Sequence, residues 1–223
     1  MKDRTRLSQF DARELKGHHG IFLAGFDEAG RGPLCGPVVA GGVVLKDDFY
    51  CPYIDDSKKL TAKEREKAEA IIKARSLAWA VSLISPADID RINILESSRL
   101  GMENCLGELL KKVKVDFIIT DYMELHTTIP VLAIPHGDGT SEAVAAASIL
   151  AKTSRDRYME KLSAIYPEYG FDKHKGYPTK AHMEALLRYG VIRGLYRMSY
   201  APVKRALALT GYNYKDPAWE PDW

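Results

Sequence analysis

An apolar run of strand length, Ile21 to Phe26, ends abruptly in Asp27-Glu28-Ala29-Gly30, and a valine-rich run, Val38 to Leu45, closes with Lys46-Asp47-Asp48. Runs that are apolar on both faces suit central strands covered on each side. Such strands demand a layered α/β architecture and place charged residues only where the strands stop.

The rest of the chain fits that frame. Thr61 to Ala74 reads as a helix with Thr61 as N-cap and Glu64 three residues on, a capping-box pattern. Leu77 to Ile84 is a third strand, Ser85-Pro86 opens a short helix, and Ile94 to Lys112 forms a longer one. Val115 to Thr120 and Val131 to Ile134 are the fourth and fifth strands. Helices are expected over about 141–165, from Thr179 to Tyr189, and near Pro202. The order β-β-α-β-α-β-β-α-α gives an α/β fold with a mixed sheet. Four stretches are expected: a polar leader (1–19), a core (20–165), a C-terminal helical segment (166–211) and a tail (212–223) holding Trp219 and Trp223.

No apolar run approaches the ~20 residues that span a bilayer, and the leader lacks a signal-peptide core. Cys35, Cys51 and Cys105 make neither a zinc pattern nor a disulfide framework and read as packing residues, so a cytoplasmic, reducing setting is expected. The net charge of +2 is too small for a surface uniformly attractive to nucleic acid. Any such footprint must be local.

Acids recur where strands end: Asp27 and Glu28 after the first, Asp121 after the fourth, Asp138 shortly after the fifth. Functional sites of open α/β sheets gather at strand ends. Gathered carboxylates repel unless cations lie between them, and oxygen donors favour Mg²⁺ or Mn²⁺ over zinc. The fitting chemistry is in-line phosphoryl displacement with two divalent ions. A lone strand-end acid more often caps a helix or faces solvent, as expected for Asp47-Asp48 and Asp55-Asp56. Adjacent residues of a strand point to opposite faces, so Asp27 and Glu28 require a bend, which Ala29-Gly30 could supply.

The loop that follows, Gly30-Arg31-Gly32-Pro33-Leu34-Cys35-Gly36, lets backbone groups approach a sugar-phosphate chain and offers Arg31 as a forked cation. It is neither a dinucleotide fingerprint nor a Walker loop. Lys and Arg number eight between residues 171 and 210 against two acids, with tyrosines interleaved. Tyr177, in a Gly-Tyr-Pro loop, is the tyrosine best suited to stack on nucleic acid; Tyr189 and Tyr200 read as core. Ser148, Lys152 and Arg155 share one face of the long helix. They could follow a phosphate backbone or neutralise the acids. Lys58 is a similar candidate, and His174 and His182 read as loop and surface histidines.

The segment FDEAGRGPLCGPVVA resembles the N-terminal motif of type 2 ribonuclease H, ribonuclease HII. DDSKKL, GDGTSEAVAAASILAKTSRDRYM, HKGYPTKAHMEAL and YRMSYAPV follow in the family's order, so the resemblance covers roughly residues 20 to 207. It implies a ribonuclease H-like mixed five-stranded sheet flanked by helices, with a small C-terminal helical extension. It also implies that Asp27, Glu28, Asp121 and Asp138 are metal ligands and catalytic. Gly30, Arg31 and Gly32 would grip a ribonucleotide's 2′-hydroxyl and flanking phosphate, and Tyr177 would stack on the deoxyribose at an RNA-to-DNA junction. The implied activity is hydrolysis of the RNA strand of RNA–DNA hybrids, and cutting 5′ of ribonucleotides embedded in duplex DNA, by a monomer that leaves 5′-phosphate and 3′-hydroxyl ends.

Two positions depart from the pattern. Tyr122 follows the third aspartate where a small residue is common, making Glu124 a competitor of Asp121. Tyr196 stands where histidine is frequent, so no acid–base role is assigned there. The related ribonuclease HIII is disfavoured by the short leader. A catalytically inactive hybrid-binding module is disfavoured by the four acids present, and a nucleotide phosphotransferase by the missing Walker sequence.

Overall fold

The computed structural model describes residues 6–15, 20–54 and 60–218. Helix α1 (Arg6–Glu14) is followed by β1 (Leu23–Ala29), β2 (Val38–Val44), α2 (Ala62–Arg75) and β3 (Ala78–Ile84). Then come α3 (Pro86–Ile92), α4 (Ile94–Leu110), β4 (Phe117–Asp121), β5 (Val131–Ile134) and α5 (Glu142–Ile165). The chain ends with α6 (Phe171–His174), α7 (Lys180–Tyr189), β6 (Val191–Ile192), α8 (Ala201–Leu209) and β7 (Tyr214–Lys215).

Five strands form one mixed sheet, as expected, and their order is β3-β2-β1-β4-β5. β1 pairs antiparallel with β2 and parallel with β4, which pairs parallel with β5. The predicted capping box holds: Thr61 accepts from the Glu64 N–H, and the Glu64 carboxylate accepts from the Thr61 N–H. The polar leader contains α1.

Contacts divide the chain into two compact units, neither of them contiguous. The first comprises the chain through Ala29, Val39–Ser82 and Ser98–Thr153; the second comprises Gly30–Val38, Leu83–Ser97 and everything from Ser154. The sequence-based division at residue 165 thus differs from the structural one. The unit boundary falls inside α5, and the glycine loop belongs with the C-terminal residues.

Inside the first unit the alternation of β1 sorts its two faces. Ala24 and Phe26 pack among Met102, Cys105 and Leu109 of α4, whereas Leu23 lies with Ile119, Ala143 and Val144 on the α5 side. Helix α5 comes in very close. A Cβ on Gly25 would fall 2.2 Å from the Ala143 carbonyl carbon, and one on Gly41 would fall 2.3 Å from the Ala147 carbonyl oxygen. Absent side chains at Gly25 and Gly41, facing a small-residue stripe, set the depth at which this helix lies on the sheet.

The second unit has its own core. Leu34, Met159, Leu162, Tyr169, Phe171, Leu186, Tyr196 and Val203 are buried together. The Tyr169 and Phe171 rings stack at 5.2 Å, and β6 pairs parallel with β7.

Candidate active site

The first unit assembles the acids. By strand alternation Asp27 follows Leu23 and Gly25 onto the α5 face. Asp121 follows Ile119 onto that same face, and the register Gly25↔Ile119, Phe26↔Thr120 brings the two aspartates level on neighbouring strands. Asp27 is 5% exposed. Its carboxyl is pushed well above the usual range, first by burial, then by the charge of Glu28 and, to a lesser degree, of Asp121. Hydrogen bonds from the Ser148 hydroxyl on α5 and from the Glu28 N–H (2.7 Å) oppose that rise.

Asp138 sits on a single 3₁₀ turn, Gly137–Gly139, and is buried. The Gly137 N–H donates to the Asp121 carboxylate at 2.9 Å. A Cβ on Gly137 would meet the Asp121 Cα at 3.3 Å, so the turn is seated directly on that aspartate. Asp121 therefore occupies the place beside Asp27 and the Asp138 turn. Glu124, its sequence competitor, is exposed, and its backbone carbonyl accepts from Arg99.

The bend expected at Ala29-Gly30 falls at Gly30. The ladder to β2 stays regular through Ala29↔Val39, and the turn comes only at Gly30, whose φ is +99°. Glu28 is half-buried, and its charge acts on the neighbouring Asp27. Among the described residues, no three histidine, cysteine or acidic side chains stand close enough together to hold a metal ion as they are placed. The donor chemistry nonetheless suits a hard divalent cation. The four candidate residues are all carboxylates, and Asp27, crowded by like charge away from water, would gain from a positive neighbour.

The second unit builds the glycine loop. Gly30 cannot carry a side chain, since a Cβ would lie 2.1 Å from Arg155 Nε. The loop's carbonyls, which have no strand partner, are taken up by two arginines. Arg155, 1% exposed, donates to the carbonyls of Pro37 (3.1 Å), Cys35 (3.2 Å) and Lys175 (2.9 Å). Burial, then the neighbouring Arg197, lower its guanidinium to about 10. Arg197, fully buried, donates to Gly30 (2.6 Å), Arg31 (2.8 Å) and Gly36 (3.0 Å). The Tyr200 hydroxyl donates to the Arg31 carbonyl at 2.8 Å.

These contacts correct the expectation that Arg155 follows a phosphate backbone or neutralises the acids, and they give Arg197 the same internal role. Their donors are consumed inside the protein, and their work is to hold the Gly30-Arg31-Gly32 turn. Arg31 itself is exposed. Tyr177 is 43% exposed, and a Cβ on Gly32 would meet its ring at 3.3 Å, so the tyrosine lies against the loop.

His182 is buried, not a surface residue. Burial lowers it to about 4. The neutral ring donates from Nδ1 to the Tyr177 carbonyl (2.9 Å) and accepts the Tyr196 hydroxyl at Nε2 (2.8 Å), the roles its partners' chemistry dictates. His174 stacks on it with ring centroids 4.3 Å apart. The histidine pair braces the tyrosine loop, a role that residue type alone did not reveal.

Of the remaining candidates, Ser148 meets Asp27 as described, Lys152 is half-buried on α5, and Lys58 lies outside the described residues, as do Asp55, Asp56, Trp219 and Trp223. Asp47 and Asp48 are exposed loop acids as expected, and the three cysteines are buried and unpaired. No helix among the described residues is long and apolar enough to cross a membrane.

The family model for ribonuclease HII matches residues 24–203. Ribonuclease HII of Acholeplasma laidlawii is 47% identical over 186 residues, covering 83% of this chain and 90% of the relative. That of Syntrophomonas wolfei is 42% identical over 200 residues, 89% and 77% of the two chains. The crystal structure of ribonuclease H2 from Pyrococcus horikoshii aligns with a TM-score of 0.71 at 28% identity, covering 86% of this chain and all of that one.

Proposed function

The chain belongs to the ribonuclease HII family and is a ribonuclease H; from that premise we propose that it hydrolyses the RNA strand of RNA–DNA hybrids and also cuts 5′ of ribonucleotides embedded in duplex DNA. The observation that carries this reading is the pairing of buried Asp27 with Asp121 on one face, with the Asp138 turn bonded to Asp121.

Asp27, Glu28, Asp121 and Asp138 are the groups that would hold Mg²⁺ or Mn²⁺. When bound, two such ions supply charge neutralisation and nucleophile activation for in-line displacement at a phosphodiester, giving 5′-phosphate and 3′-hydroxyl ends. The protein's own groups do the rest. Ser148 and the Glu28 N–H orient the Asp27 carboxylate, and the Gly137 N–H orients that of Asp121. Telling hybrid from plain duplex requires reading a 2′-hydroxyl, which both donates and accepts. The Gly30-Arg31-Gly32 turn offers backbone groups of both kinds on a loop pinned from within, and its exposed Arg31 can fork onto a flanking phosphate. Tyr177, braced beside Gly32, offers its ring to the sugar at an RNA-to-DNA junction. Lys58 and Lys152 are assigned to the substrate's backbone. The enzyme acts as a cytoplasmic monomer.

The test uses three duplexes with Mg²⁺ or Mn²⁺: an RNA–DNA hybrid, DNA carrying one ribonucleotide, and all-DNA duplex. The first two are cut and the third is left intact, and Asp27→Asn abolishes cutting while sparing binding. Equal cleavage of all three, or a variant that cuts at the parent's rate, refutes the reading. Tyr177→Ala costs more at single-ribonucleotide sites than on long hybrids; a uniform loss would make Tyr177 a packing residue.

A further inference from the structure

Helix α1 has a face that the proposed chemistry does not use. One side of it is fixed to the first unit. Leu7 is 2% exposed within a core cluster, and the Asp11 carboxylate, 8% exposed, accepts from the Ala143 N–H at 3.0 Å. That anchoring sets the helix rotation. Residues 6, 9, 10 and 13 then share the neighbouring stripe, since they fall within about 100° of arc at 3.6 residues per turn. Together with Thr140 they line a cleft of about 320 Å³: Arg6, Gln9, Phe10, Arg13 and Thr140. No acid lines it. Arg13 Nε pairs with Glu14 at 3.5 Å, and the Arg13 side chain remains 72% exposed, over the Phe10 ring.

The cleft is tied to the acidic site. Arg6 donates to the Gly139 carbonyl at 2.8 Å, one residue beyond Asp138, and Thr140 is the next residue. Two arginines and a glutamine thus line a recess beside the turn that carries a metal-ligand candidate, while the Thr140 hydroxyl donates to the His136 carbonyl at 3.1 Å. A solvated helix face would show cations without a shaped recess and without a contact at that turn.

We infer that this cleft binds a backbone phosphate of the nucleic-acid duplex, holding the strand beside the Asp138 turn. The inference rests on the function proposed above for its substrate, although not for its chemistry: a guanidinium fork takes a phosphate of DNA or RNA alike.

Binding to hybrid and to all-DNA duplex is measured by fluorescence anisotropy in EDTA across a salt titration, for the parent, Arg13→Ala and the Arg6→Ala/Arg13→Ala double variant. The reference is Arg91→Ala/Lys111→Ala, which removes two exposed cations paired with Asp88 and Glu108. The double variant is expected to bind both duplexes roughly tenfold more weakly. Its slope of log K against log salt is expected to be shallower by about 1 to 2, with the reference keeping the parent slope. In cleavage assays Arg13→Ala, which does not touch the Asp138 turn, shows its loss in KM.

Because the all-DNA arm needs no cleavage, it reads the cleft even if the enzyme proves not to cut hybrids, which would overturn only the function. Unchanged slope and affinity in folded variants overturn the cleft. If inorganic phosphate raises the parent's melting temperature through Arg6 and Arg13 while duplex slopes stay equal, the site is one for free phosphate and the duplex assignment falls. Should the double variant fail to fold, Arg13→Ala alone decides, with half the slope change.

Discussion

Tyr122 shows how much local strain this site carries at single positions. It follows Asp121 directly, has a φ of +60°, and leaves its side chain 71% exposed. A bulky residue in the left-handed region costs roughly 1–2 kcal/mol, and little packing offsets that here. Tyr122→Gly is expected to leave stability unchanged or to raise it by roughly 1 kcal/mol, the strain relief exceeding the added freedom of the unfolded chain. Chemical denaturation measures this, and a loss above about 1 kcal/mol would show that the ring packs on something essential. Arg197 is the opposite case, a residue whose side chain has no slack. Its fork serves the carbonyls of Gly30, Arg31 and Gly36 together. A lysine keeps the charge but not that geometry. Arg197→Lys is therefore expected to destabilise by about 2 kcal/mol or more, through buried carbonyls left without donors. It should also raise KM for ribonucleotide-containing duplex; parent-like values in both assays would mean that the loop holds itself.

At the scale of elements, α5 receives its N-terminal cap from two places. The Ser141 hydroxyl accepts from the Val144 N–H, and Asp11, brought by α1, accepts from the Ala143 N–H. Asp11 is raised to about 6, burial outweighing its hydrogen bonds. The folded protein thus binds this proton more tightly than the unfolded chain does. The associated stability is fully present below about 3.8 and is lost as pH rises through about 6. Asp11→Asn keeps an acceptor for Ala143 while removing the charge. Relative to the variant, the parent should lose on the order of 2 kcal/mol between pH 4 and 6, read from denaturation midpoints; parallel pH profiles would contradict the assignment. The same element shows where sequence reading stops. The sheet strands and α2, α4, α5 and α7 were legible because apolar periodicity and caps such as Thr61 and Thr179 are local signals. Helix α1 was not, because Leu7, Phe10 and Leu15 are too few to announce a helix without the surface they meet. The aspartates at the strand ends stood out as acids where apolar runs stop. Arg155, Arg197 and His182 did not, because residue type places them on the surface and only the loop's unpaired carbonyls and the Tyr177–Tyr196 pair draw them inside.

For the molecule as a whole, the near-neutral charge of +2 conceals an energetic tension at one place. Asp27 is held in the interior with Glu28 and Asp121 as like-charged neighbours, which the folded state bears and the unfolded chain does not. A divalent ion that binds these carboxylates binds only where folding has gathered them, so it stabilises by mass action. At a hundredfold excess over its Kd the gain is about 2.7 kcal/mol, and for a chain of this size each kcal/mol moves the melting temperature by roughly 2–4 °C. Mg²⁺ or Mn²⁺ is therefore expected to raise the melting temperature of the parent by several degrees above its value in EDTA. Asp27→Asn should invert the order. In EDTA the variant melts at or above the parent, because a neutral amide removes the buried charge and can still accept from Ser148. With ions present it gains little and melts below the parent. The crossing of the two melting temperatures is the diagnostic outcome, since a merely structural Asp27 would give a variant less stable than the parent in both buffers. An equal ion-induced rise in both proteins would place the cations elsewhere.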